Sequence, residues 1–224
     1  QLDCGRTSAE FLTLIEPLEI HPFLCGGNLI GYVRHGGFVP WDDDIDFSLI
    51  RSEYEQFKEY CRTNLNEKEW CWEDMADHFS VWRCQNGVKG IGMDFFVLDY
   101  YAEDYPFEAL LDCSRRVREK LMSAVSLKDK IRVFERAVTK NRQYTVPQSS
   151  RIYFGVDNTE MDHKYHKGYI PEEVLFPLKK VKWEGEKFWV PNQPEEFALY
   201  EFEDIWKFPE DVGIPRHFGT AINE

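Results

Sequence analysis

Apolar and polar positions change period several times along the chain, and each change marks an element. Phe11, Leu12, Leu14, Ile15 and Leu18 recur at helical spacing behind Thr7-x-x-Glu10, a capping-box pattern, and Pro17 should kink or end that helix. Residues 44 to 49 alternate instead: Ile45, Phe47 and Leu49 are apolar, while Asp44, Asp46 and Ser48 are polar. A strand would therefore turn the three polar side chains to one face. From Arg51 the period is helical again, with Ser52-x-x-Glu55 as a second capping box and Tyr54, Phe57, Cys61 and Leu65 as one buried stripe. Trp70–Glu73, Phe79–Cys84 and Ile91–Leu98 read as strands, the last two joined by a turn at Gln85-Asn86-Gly87. In the last of them Ile91, Met93, Phe95 and Val97 share one face and Asp94 takes the other, repeating the pattern of 44 to 49.

Phe107 to Arg142 has helical spacing with no Gly or Pro to interrupt it. Short strands follow around Lys182 to Pro191, then a helix from Pro194 to about Lys207. The predicted fold class is α/β (α+β): one domain over 1–224 with a mixed β-sheet core flanked by helices and a helical insertion at about 103–145.

Charge narrows the function. The 224 residues carry a net charge of −13, which argues against coating nucleic acid through its phosphates. That charge is segregated: Arg115 to Arg142 holds +7, leaving −20 on the remainder. The six cysteines, Cys4, Cys25, Cys61, Cys71, Cys84 and Cys113, form no Cys-x-x-Cys and read as mostly reduced core residues. Neither a signal-peptide pattern nor an apolar run near the ~20 residues of a membrane span is visible.

The chemistry concentrates between Phe23 and Asp46. Five of the fourteen glycines fall within Phe23–Gly37, which predicts a strand, a backbone-exposed turn and a short helix. Cys25-Gly26-Gly27-Asn28-Leu29-Ile30-Gly31 lacks the Lys of a P-loop, Tyr32 standing where it would be; Gly26 and Gly27 would let backbone N–H groups approach a phosphate at a helix start, or simply form a tight turn. In Trp41-Asp42-Asp43-Asp44-Ile45-Asp46, four acids in five positions repel one another unless a cation neutralises them. The spacing of Asp42, Asp44, Asp46 and Glu53 fits a calcium loop, but Phe47 occupies the position where its sharp turn requires Gly. Arg34 suits a phosphate clamp or an ion pair with the acidic run, and His35 a substrate contact or a turn cap.

The stretch Phe23–Asp46, with Arg34-His35-Gly36-Gly37-Phe38-Val39-Pro40-Trp41-Asp42-Asp43-Asp44-Ile45-Asp46 at its end, resembles the signature of the LicD family of nucleotidyltransferase-fold proteins. Met93-Asp94-Phe95-Phe96-Val97-Leu98-Asp99 is similar to the family's second block, with Val97 in place of Pro, and Asp94 takes the place of the third catalytic carboxylate. The segments from Lys182 to Pro191 and from Tyr200 to Pro209 resemble the family's closing parts loosely. The resemblance implies Asp44, Asp46 and Asp94 as catalytic and metal-holding residues for Mg²⁺, or Mn²⁺. Gly26, Gly27, Asn28, Arg34 and His35 would contact substrate, and Asp42 and Asp43 would support the site. It further implies transfer of phosphocholine from CDP-choline to a glycan or glycolipid acceptor such as teichoic acid or lipopolysaccharide. CDP-ribitol, as used by fukutin and fukutin-related protein, is the alternative donor. Nucleotidyl transfer and a silent binding module are the competing functions. The expected setting is the cytoplasm, or the inner face of the membrane.

Overall fold

A computed structural model describes residues 2–40, 42, 44–75, 77–156, 158 and 167–207. Trp41, Asp43 and Pro209 of the acidic and closing segments lie outside the described residues.

Helix α1 (Leu2–Ile15) runs into a 3-10 turn at Glu16–Leu18 that contains Pro17, so the proline does end the helix. Thr7 is not its cap. The helix starts upstream because Cys4, Ser8, Phe11 and Ile15 make one continuous buried stripe, and packing of that stripe outweighs a local cap. Strand β1 (Phe23–Leu24) leads into α2 (Gly26–His35), then β2 (Ile45–Ile50) and α3 (Arg51–Asn64). Ser52 likewise lies inside α3 rather than capping it, and Ile50 takes the cap position without a side-chain bond. Tyr54, Phe57 and Cys61 are buried as the stripe predicts, while Leu65 falls just beyond the helix.

Strands β3 (Trp70–Asp74), β4 (Phe79–Gln85) and β5 (Val88–Tyr101) form a meander. The β4–β5 turn needs left-handed backbone at both central positions, Asn86 at φ 53° and Gly87 at φ 79°, which is why this dipeptide closes it. Between β5 and β6 (Thr145–Val146), two helices replace the single continuous one that the spacing suggests: α4 (Phe107–Ser123) and α5 (Leu127–Arg142). The break is chemical. Ser126 caps α5, its Oγ accepting from the Asp129 N–H at 3.2 Å. Strands β7 (Arg151–Phe154), β8 (Ile170–Pro171), β9 (Lys179–Trp183) and β10 (Glu186–Val190) follow, with α6 (Glu172–Leu175) after β8. The last helix, α7 (Pro194–Glu201), stops about two turns short of Lys207.

Among the described residues the ten strands make one mixed sheet in the order β3-β4-β5-β2-β1-β10-β9, with β6 and β7 on the far end of β5 and β8 on β7. The parallel β2–β5 pair lies at its centre with Ile45 opposite Met93, Phe47 opposite Phe95 and Leu49 opposite Val97. These six are buried, and α1 and α3 cover them: Phe57 lies 4.3 Å and Phe11 5.9 Å from the Phe95 ring. Because strand side chains alternate, burying this face forces Asp46 and Asp94 to the other.

Cysteine usage fits the mostly reduced expectation, with one pair as the exception. Cys71 on β3 and Cys84 on β4 form a disulfide, while Cys4, Cys25, Cys61 and Cys113 are thiols. Strand pairing, not a local motif, brings the two together. Among the described residues no helix is long and apolar enough to cross a membrane.

Candidate metal and active site

Asp46 and Asp94 stand directly opposite each other on parallel β2 and β5. Asp44 sits one residue before β2, not within it, yet reaches the same place: one carboxylate oxygen from each of Asp44, Asp46 and Asp94 lies within 4.8 Å of the other two. Three half-buried carboxylates this close are a hard-oxygen donor set that matches Mg²⁺ or Mn²⁺.

Asn28 holds the acidic loop in shape. It is fully buried in the first turn of α2; its Nδ2 donates to Asp42 Oδ2 at 3.1 Å and to the Asp44 carbonyl at 3.0 Å, and its Oδ1 accepts from the Asp46 N–H at 2.5 Å. One amide thus ties three of the acids to the helix start. The adjoining glycines are there because the acids come so close. A Cβ on Gly26 would lie 2.7 Å from Asp46 Oδ2, one on Gly27 2.8 Å from Asp42 Oδ2, and Gly26 also has a positive φ of 56°. The positive end of the α2 dipole therefore faces the carboxylates, partly offsetting their repulsion.

The offset is incomplete. Burial pushes the Asp46 carboxyl well above its ordinary range, and Asp44, Asp94, Asp42 and Glu201 push it further. Glu201, at the end of α7, is raised to about 8 by burial, although its Oε2 accepts the Gly26 N–H at 3.0 Å. Cys25, preceding Gly26, is a buried thiol pushed up by burial and then by Glu201 and Asp46, which makes it a poor nucleophile. A site that crowds this many carboxylates around Asp46 is one that a divalent cation would stabilise.

Around Asp94 the supports come from β4 and the residue just before it. Ser80 Oγ donates to Asp94 Oδ1 at 2.5 Å, and His78 Nε2 lies 3.9 Å from the same oxygen. His78 Nδ1 in turn lies 2.8 Å from Asp77 Oδ1, and its ring is 5.4 Å from that of Phe96.

Of the residues expected at the site, the structure thus gathers Asp44, Asp46, Asp94, Asp42, Gly26, Gly27 and Asn28. Arg34 and His35 belong to the opposite end of α2, about 12 Å along the axis from Gly26. Arg34 Nη1 donates to the Ile205 carbonyl at 2.9 Å and its Nε to His35 Nε2 at 3.0 Å, so Arg34 ties α2 to the 205–207 segment. Glu201, His78 and Ser80 are the members that sequence reasoning missed. His78 and Ser80 had a signal, since they alternate with apolar Phe79 and Val81 on β4; Glu201 had none, because it meets Gly26 only through the packing of α7 on α2.

Comparison with known proteins agrees with this geometry. Residues 19–112 match the LicD/FKTN/FKRP nucleotidyltransferase domain. The chain is also 27% identical to the lipopolysaccharide cholinephosphotransferase LicD of Haemophilus influenzae over 257 aligned positions, which cover 99% of this chain and 96% of that protein. Residues 19–112, which contain all three metal-facing carboxylates, are thus similar to the LicD/FKTN/FKRP nucleotidyltransferase domain.

Proposed function

We propose that this chain is a metal-dependent phosphotransferase that moves phosphocholine from CDP-choline to a sugar hydroxyl of a cell-surface glycopolymer, lipopolysaccharide or teichoic acid. The observation that carries the reading is the convergence of Asp44, Asp46 and Asp94 beside the glycine-lined start of α2. The similarity to a lipopolysaccharide cholinephosphotransferase over nearly the full length of both chains supports the donor and acceptor classes.

Asp44, Asp46 and Asp94 would hold Mg²⁺ or Mn²⁺. The ion supplies neutralisation of the diphosphate charge during transfer. Asn28 keeps Asp42, Asp44 and Asp46 at their spacing without a charge of its own. Ser80 engages Oδ1 of Asp94, which leaves Oδ2 to face the reacting groups. In the transfer, the sugar oxygen bonds to the phosphorus of phosphocholine as the bond from that phosphorus to CMP breaks. The hydroxyl proton passes to a site carboxylate, and Asp94 is the one we assign. Phe96, on the same face as Asp94, offers an aromatic surface of the kind that binds a quaternary ammonium.

CDP-ribitol is the second reading, favoured by the inclusion of the FKTN and FKRP proteins in the matching domain. The test is product analysis with CDP-choline, Mg²⁺ and lipopolysaccharide. The expected result is CMP released one for one with a new phosphodiester, abolished by EDTA. Turnover with CDP-ribitol alone would select the second reading, and pyrophosphate release from CTP would replace both with nucleotidyl transfer.

A further inference from the structure

The α4–α5 hairpin is anchored at one end and bare at the other. At its root Leu110, Ala137 and Asn141 are buried, and Cys113 Sγ donates to Asn141 Oδ1 at 2.9 Å. At its tip, in the last turn of α4, the connecting turn and the first turns of α5, the exposures are Met122 79%, Val125 99%, Leu127 74% and Ile131 48%. Four large apolar side chains grouped at one end of the hairpin are a contact surface, since scattered single ones would need no partner; three of them, Met122, Leu127 and Ile131, also line the cavity between hairpin and body. Arg118, Lys120, Lys128, Lys130 and Arg132 surround them, all exposed.

We propose that this tip docks into an anionic membrane surface, its apolar residues entering the interface and its cations pairing with headgroups. Charge selects that occupant. The +7 of residues 115–142 is attracted to an anionic surface, and the −20 of the remainder is repelled, so only the hairpin can lead. A soluble anionic polymer would use the cations but leave Val125 in water.

That cavity, of about 950 Å³, lies between the hairpin and the body, with Leu121 and Phe134 on one side, Lys58 and Asp77 on the other. Asp77 touches His78, which faces Asp94. None of the three carboxylates lines this cavity, and Tyr54 and Lys58 place it on the α3 side of the sheet, opposite Asp46 and Asp94. The docking itself does not depend on which donor the enzyme uses.

Co-sedimentation with vesicles tests the proposal: phosphatidylcholine alone, and phosphatidylcholine with about 30% phosphatidylglycerol, each at low and high salt. The wild-type chain should sediment with the anionic vesicles at low salt only. Val125→Asp with Leu127→Asp should lower partitioning by at least about tenfold, and Lys128→Gln with Lys130→Gln by roughly 30-fold, with circular dichroism melting unchanged. Val125→Trp should show a blue-shifted emission on anionic vesicles, a sign of insertion that adsorption by charge alone does not give. No binding to anionic vesicles, or binding that survives both double variants, would overturn the proposal. So would a vesicle-free dimer that Val125→Asp dissociates, which would assign the tip to a second copy of the chain.

Discussion

The central strands β2 and β5 carry acidic residues toward both ends of the site-bearing part of the sheet, and the two ends are treated oppositely. Beyond the end of β2, Asp99 of β5 is buried at 2% exposure, but Arg51 grips both its oxygens at 2.8 Å and the Val156 N–H adds a third bond at 2.9 Å. At the start of β2, Asp44, Asp46 and Asp94 face one another, with Asp42 and Glu201 adding like charge around Asp46. A buried carboxylate answered by a guanidinium is part of the architecture. A cluster met by a helix dipole, an amide and a hydroxyl, with like charge around it, is poised for a cation. The contrast lies in what surrounds each acid, since all are Asp on the same pair of strands or next to them.

Removing one charge from the crowded end should therefore separate function from stability most sharply. Asp46→Asn is expected to cut turnover by about 10³-fold or more, yet to raise the melting temperature of the metal-free chain, because it relieves repulsion. Steady-state kinetics and calorimetric melting check the two halves. A metal-free melting temperature that falls would mean that Asp46 is held by cationic or hydrogen-bonding partners, as Asp99 is.

The compensated end should behave in the reverse way. Arg51→Ala leaves Asp99 buried without its ion-pair partner and should cost about 3–5 kcal/mol in denaturant unfolding, while the folded fraction keeps its turnover. Lys at 51 should restore only part of this, because an ammonium cannot match the two-oxygen grip. Asn28→Ala should lie between the two: about 1–3 kcal/mol of lost stability from unpaired loop groups, together with a higher Mg²⁺ requirement as the acids lose their spacing.

Acidity gives the smallest and most graded effect. Burial pushes Glu201 up to about 8 in the folded chain, against 4.5 as its ordinary value, and Asp46 is raised as well. Between those two values the folded chain holds protons that the unfolded chain releases. The metal-free protein should thus be most stable at the acid side of that window and lose stability as pH rises through it. Melting curves across the window check this, and Glu201→Gln should flatten the slope.

Much of this was readable from sequence because alternation is local. Ile45, Phe47 and Leu49 on one side, with Asp46 and Asp94 on the other, follow from strand period and one buried face. The glycines at 26 and 27 announced a close approach, though the groups that approach within the chain are its own carboxylates. What escaped was set by packing across the chain. Thr7 and Ser52 look like caps but lie inside helices that begin upstream of them. Arg34 was within reach of the acidic run by sequence distance, yet a helix of ten residues carries it to the far end. Cys71 and Cys84 join only because β3 and β4 pair, and Glu201 joins the site only because α7 packs on α2.

The most direct test is a calorimetric titration of CDP-choline into the protein, once with Mg²⁺ and once with EDTA, repeated for Asp46→Asn. The account predicts binding that requires Mg²⁺ and is lost in the variant. Equal binding with EDTA, or in the variant, would show that the carboxylate cluster is not the metal site through which this chain engages its donor.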